Sequence, residues 1–164
     1  MPARKSKSPD PRSTRPQMPG YGIPESSKGL LPWSWARQRL EKSHNYWIST
    51  VRPDGSPHTM VVWGLWIEGA FYFSTGRESR KARNLALNSR CVICTEKADE
   101  AVIVEGRADL VHDTPQVKFF SRYEKKYEWD MSKMQDEPVF RVTPRLAFGQ
   151  FEKKFQGTAT KWNF

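Results

Sequence analysis

The feature that most limits what this chain can fold into is a run of short extended segments, each closed by a turn signal. Residues 46–51 lead into Pro53-Asp54-Gly55-Ser56, where Pro and Gly stand as a reverse turn wants them. A second segment, 57–67, reaches Glu68-Gly69 and is followed at once by 70–75. Two hairpins in succession make an antiparallel meander. Residues 90–96 and 101–111 pair across 97–100, and 139–142 and 145–151 read as strands split by Pro144. Thr59-Met60-Val61-Val62-Trp63 lacks strict alternation, as expected of a strand covered on both faces. Helical spacing occurs at 33–43, where Pro32 and Ser34 give start signals and Ala36 recurs with Leu40. It recurs at 79–88, through Ala82, Leu85 and Ala86, and in the highly charged stretch 114–127. Many short antiparallel strands with a few helices predict an α+β chain built on a β-barrel.

The 164 residues suit one domain of 30–164 behind a basic, Pro-rich tail of 1–29. That tail holds Pro2, Pro9, Pro11, Pro16, Pro19 and Pro24, and six basic residues against Asp10 and Glu25. It is expected to be disordered, and residues 1–17 to be removable at little cost, since that segment has little apolar surface to bury. Much of the net charge of +9 therefore belongs to the tail. The remaining basicity still invites a phosphate-bearing partner. No apolar run reaches about 18 residues, so no membrane helix is expected. The polar N-terminus and the two cysteines point to a cytoplasmic protein.

The richest stretch for chemistry runs from Ser74 to Leu85. Ser79 is a good helix N-cap, yet Arg80 and Lys81 follow in the first turn, where the positive end of the helix dipole disfavours cations. An anion held there by free backbone N–H groups and these side chains supplies the compensation, with Ser74 and Thr75 adding hydroxyls. A solvated basic turn is the alternative. Cys91 and Cys94 have redox-pair spacing, but in a strand residues i and i+3 face opposite sides, so ordinary packing is expected. His44, His58 and His112 are too scattered for a metal site, and His58, starting a strand, is a candidate substrate contact. The segment 122–129 reads as a solvated helix face, although its basic and aromatic mixture also occurs in nucleic-acid binders.

Phe73-Ser74-Thr75, then Ser79-Arg80-Lys81-Ala82, with 57–63 upstream and Val102-Ile103-Val104-Glu105-Gly106-Arg107-Ala108 downstream, resembles the FMN-binding split β-barrel family that includes pyridoxamine 5'-phosphate oxidase. The resemblance covers about residues 46–111 and implies a Greek-key type split barrel. It also implies that Ser74, Thr75, Arg80 and Lys81 bind a flavin phosphate, and that Met60, Val61, Val62 and Trp63 lie along the flavin ring. The ending Thr160-Lys161-Trp162-Asn163-Phe164 is similar to the Thr-Arg-Trp-x-Phe ending of a subgroup, with Lys161 in place of Arg. Family dimers complete each flavin site from the partner chain, so Lys161 and Trp162 are candidates for that role; a core-packing strand is the competing reading. The cofactor implied is FMN, or else a 5-deazaflavin, whose acidic tail suits a basic surface. The activity implied is hydride transfer to a small substrate by a homodimer. No catalytic acid or base stands out and no metal is expected. The rival classes are a nucleic-acid-binding barrel, which is not the expected role, and a flavin carrier without turnover.

The likeness to the oxidase itself breaks at three positions. Where that enzyme has an Arg for the flavin phosphate and, five residues on, a Lys for the substrate phosphate, this chain has Met60 and Leu65. A Gln that contacts the flavin is replaced by Ala101. Trp63, Leu65 and Trp66 instead predict a flatter, more apolar substrate. FMN-loaded protein is accordingly expected to form negligible aldehyde from pyridoxamine 5'-phosphate in a steady-state assay. Turnover with kcat/KM near about 10⁴ M⁻¹s⁻¹ or above would overturn this.

Overall fold

A computed structural model describes residues 9–112, 114–134 and 136–164; residues 1–8, the start of the expected tail, lie outside it. In chain order the elements are β1 (Arg12–Thr14), α1 (Trp33–Lys42), β2 (Tyr46–Val51), β3 (Pro57–Val62), β4 (Leu65–Ile67), β5 (Ala70–Ser74) and α2 (Arg80–Leu87). There follow β6 (Arg90–Thr95), β7 (Val102–Val111), α3 (Thr114–Tyr127), β8 (Val139–Gly149), α4 (Phe155–Thr158) and β9 (Thr160–Asn163). All strand pairs are antiparallel, in the order β1-β9-β8-β7-β6-β2-β3, with β5 on β8 and β4 on β5. This is the α+β, barrel-based architecture that the turn signals predicted and the split barrel that the resemblance implied. No helix among the described residues is long and apolar enough to cross a membrane.

Strand β8 holds the barrel together by serving two partners along one edge. Its first half pairs with β5 (Phe73 opposite Phe140) and its second half with β9 (Ala147 opposite Trp162). Its other edge runs along β7 throughout. Pro144 does not split it, contrary to the reading from sequence. The register shifts between Glu105 and Gly106, placing Gly106 opposite Pro144 and Glu105 opposite Leu146. A bulge tolerates a residue that has no N–H to give the ladder. Gly106 is required there, because a Cβ would stand 2.5 Å from the Thr143 carbonyl oxygen.

The extended stretch 57–67 is broken at Trp63-Gly64, and α3 supplies the reason. Gly64 is buried between the Phe71 ring, into which any Cβ would run, and the Tyr72 carbonyl at 2.7 Å. Its N–H donates to the Tyr127 hydroxyl (2.9 Å), and its carbonyl accepts from Tyr127 Oη (2.8 Å) and Lys126 Nζ (3.0 Å). Side chains of α3 thus satisfy backbone groups that the broken ladder leaves open. Beneath them Leu65, Ile67, Phe119, Tyr123, Tyr127, Met131 and Val139 form a second, smaller core. The main core lies inside the barrel, with Trp162 fully buried among Trp33, Trp35 and Trp66.

The expected disordered tail is in part structured. Arg12–Thr14 pairs with β9, and Arg15 fastens the segments around it. Its guanidinium donates to the carbonyls of Ser26 and Lys28, and to those of Gly157 and Ala159 near the C-terminus, at 2.6–3.0 Å. A composition argument misses this because the partners are backbone carbonyls, two of them more than a hundred residues away, and not apolar surface.

Two expectations follow. Arg15→Ala should cost about 1–2 kcal/mol and lower Tm by several degrees, and an unchanged Tm would show the attachment to be idle. Tyr127→Phe should cost about 1–3 kcal/mol in urea unfolding, because the buried Gly64 N–H loses its acceptor.

Candidate functional site

Helix α2 starts immediately after β5, and its first turn is organised by hydroxyls. Ser79 Oγ accepts from the Ala82 N–H (3.2 Å) and from Thr75 Oγ1 (3.1 Å). Ser74 Oγ donates to the Pro138 carbonyl at 3.1 Å. The loop between is tied down by the Arg77 N–H on the Glu137 carboxylate (2.9 Å). Ser74 and Thr75 therefore stand beside the helix start, as the sequence implied, but their protons are committed to protein oxygens. Their present role is to shape the turn.

The cations are not committed. Arg80 is exposed and Lys81 half-buried, and burial pushes the Lys81 ammonium below its ordinary pKa. The ion pairs among the described residues are Arg37–Glu41 and Arg39–Glu100, and neither Arg80 nor Lys81 takes part in one. Their own N–H groups head the helix, where the only side-chain cap is Ser79 on Ala82. Neither cation is within ion-pair distance of a carboxylate among the described residues, and both sit in the first turn of the helix, where the backbone field is positive too.

Tertiary packing adds two residues to this spot. Asn84, buried on α2, donates to Thr50 Oγ1 of β2 at 3.0 Å, which docks the helix against β2. Thr50 is the register partner of His58 on β3. His58 thereby comes within electrostatic reach of Arg80 and Lys81, and of Arg52 at the end of β2; burial and these three charges together hold its imidazole below the usual range. Arg52 Nη1 donates to the Pro57 carbonyl (2.7 Å) and Ser56 Oγ (3.3 Å). Sequence reasoning missed Arg52. The only available signal was a basic residue just before the turn that precedes His58.

The ring-lining candidates diverge. Strand β3 pairs only with β2 and ends the sheet, and the exposure of the successive Met60 and Val61 shows that within this chain it is not covered on both faces as expected. Met60 is 48% and Val61 43% exposed, whereas Val62 is buried. Trp63 is half-buried, stacked on Tyr127 with centroids 4.6 Å apart, and donates from Nε1 to Asn45 Oδ1 at 3.1 Å. Leu65 and Trp66 are buried in the two cores, so they do not line an open site, and the expectation of an apolar substrate loses their support.

Other candidates fall away from the spot. Trp162 is fully buried, against Gly149, where a Cβ would come within 2.7 Å of its ring; it packs the core and reaches no ligand within this chain. Lys161 lies on β9, separated from β3 by β8, β7, β6 and β2. Cys91 points inward, and burial pushes its thiol up to about 12, while Cys94 is on the opposite face; neither forms a disulfide. His44 packs edge-on against Trp63 and Tyr127, and His112 is exposed at the end of β7. No group of three potential metal ligands occurs among the described residues. In the charged helix α3, Arg122, Glu124 and Lys125 are solvated, but Tyr123 and Tyr127 are buried, and the Lys126 ammonium, pushed down to about 8 by burial, bonds Tyr46 and Gly64.

Comparison with known proteins agrees with this architecture. No curated protein matches the chain in sequence. Among solved structures, an F420 reductase is 24% identical, with 68% of this chain and 94% of that one covered and a TM-score of 0.58. General Stress Protein 26 of Bacillus anthracis is 20% identical over 71% and 91% of the two chains, with a TM-score of 0.60. The heme storage protein HutZ of Vibrio cholerae is 16% identical over 69% and 87%, at 0.59. Identities this low speak for the fold alone. The family model for pyridoxamine 5'-phosphate oxidase matches residues 35–151, well over half of the chain, and the protein belongs to that family of split β-barrels.

Proposed function

We propose that this protein is a flavin-dependent oxidoreductase that grips its cofactor by the phosphate at the start of α2. The observation that carries the reading is the unbalanced charge of Arg80 and Lys81 at a capped helix terminus, beside the open edge of β3. The donor set fits a phosphoester: two cationic side chains, two unshared helix N–H groups, and Arg52 with His58 behind them. A bound flavin supplies the hydride chemistry at its ring. The chain's own part is binding and orientation, with Arg80 and Lys81 holding the phosphate and the unpaired edge of β3 offering backbone N–H groups to the ring. FMN is the cofactor favoured here. A 5-deazaflavin is the second reading, supported by the net charge of +9 and by the fold shared with an F420 reductase.

The same reading includes a homodimer in the cytoplasm, acting on a small molecule and not on nucleic acid. A row of cross-strand neighbours supports it: Val61, Trp47, Cys94, Ile103, Phe148 and Lys161 stand opposite one another in turn on one face of the sheet. Trp47 is 46% exposed in the single chain, and apolar surface of this kind is ordinarily covered. A second copy seated there brings Lys161, though not Trp162, toward the neighbouring site.

Titration of the purified protein with FMN and with a deazaflavin, followed by fluorescence, should give saturable binding of at least one, with one site per chain. Binding of neither would overturn the reading. Lys81→Ala should weaken the affinity about 10- to 150-fold, the equivalent of about 1.5–3 kcal/mol for a charge-assisted hydrogen bond, with the fold preserved.

A further inference from the structure

His58 is the one titratable group at this spot whose ordinary pKa lies near neutrality. Its Nδ1 is fully buried and has no hydrogen-bond partner among the described residues. A buried polar nitrogen without a partner is costly unless something else satisfies it. Its surroundings are lopsided in charge. From the end of β2 it faces Arg52, and from α2 it faces Arg80 and Lys81. Its register partner Thr50 is neutral and occupied by Asn84, and Met60, two residues on along the same face of β3, is apolar. Asp54, in the turn between β2 and β3, already accepts from the N–H and the hydroxyl of Ser56 and interacts electrostatically with Arg52. Burial and three cations hold the imidazole below its usual pKa range.

We propose that His58 is a titrating member of the anion site, neutral without an anion and protonated once a phosphate dianion sits at the start of α2, with Arg52 as the fixed charge beside it. This rests on the reading of that helix terminus as a phosphate site. The dianion reverses the sign of the local field, and the proton that was repelled by three cations becomes the cheapest further countercharge. Binding then takes up a proton, and affinity falls as pH rises. The sign follows from linkage: the bound form holds more protons than the free form, so raising pH favours the free form.

The test uses FMN as the probe and the full chain, with affinity measured from pH 6.5 to 8.5, where the phosphoester stays largely a dianion. The expected result is an affinity about tenfold or more weaker at pH 8.5 than at 6.5, since one linked proton is worth up to a factor of about ten per pH unit. His58→Gln, which keeps size and a donor, should remove most of that slope. Lys81, the other titrating group that faces the site, acts equally in both proteins, so the difference between them reports His58. Calorimetry of the unaltered protein in two buffers of different ionisation enthalpy should count a substantial fraction of a proton taken up per FMN, and this arm does not depend on the variant folding. Riboflavin, which lacks the phosphate, should show neither effect. FMN binding with the same pH slope in both proteins, or with no proton uptake, would overturn this inference alone. Absence of FMN binding at every pH would overturn it together with the phosphate site.

Discussion

The sheet that carries the candidate site depends on one strand having two partners along one side. Strand β8 gives its first half to β5 and its second half to β9, and a bulge at Gly106 lets Pro144 sit between the halves. Ser74 and Thr75 are held against Pro138, just before the half of β8 that β5 uses. The start of α2 is thus positioned from the C-terminal third of the chain. The half of β8 beyond Pro144 seats β9 instead.

The same economy explains α3. A strand that breaks at Gly64 exposes an N–H and a carbonyl inside the protein, and unsatisfied buried groups are costly. Tyr127 and Lys126 close both, while the aromatic faces of Tyr123 and Tyr127 pack against Trp63. Helix α3 is therefore a structural prop at the end of the edge strand, and it leaves β3 itself open. Openness there and unbalanced charge beside it are the two properties that a cofactor with a flat ring and a phosphate tail requires.

Charge tells two different stories in this molecule. Arg15 is positive and fully engaged, donating to four backbone carbonyls that belong to both ends of the chain. Arg80 and Lys81 are positive and unengaged, at a place where the backbone field is positive too. Counting basic residues puts these in one class. Only the first is an organ of stability.

Most elements were legible in order and kind in the amino-acid sequence, because turn chemistry at Pro53–Ser56 and Glu68-Gly69 is local. The Ser79 cap and the misplaced cations after it were legible for the same reason: a helix terminus is defined by four or five consecutive residues. What local rules could not decide was partnership over distance. That Arg12–Thr14 is a strand follows from the free edge of β9, and that Trp162 is core follows from Gly149 and Trp33. That Pro144 interrupts nothing follows from Gly106, nearly forty residues earlier. The conjunction of His58 and Arg52 with Lys81 is of this kind: the sequence marks His58 and Lys81 separately and Arg52 not at all, and only the docking of Asn84 on Thr50 brings their charges to one place. Sequence determined what each segment could be, through steric and hydrogen-bonding rules of short range; tertiary structure decided which charges and edges meet, since burial and electrostatics act through space.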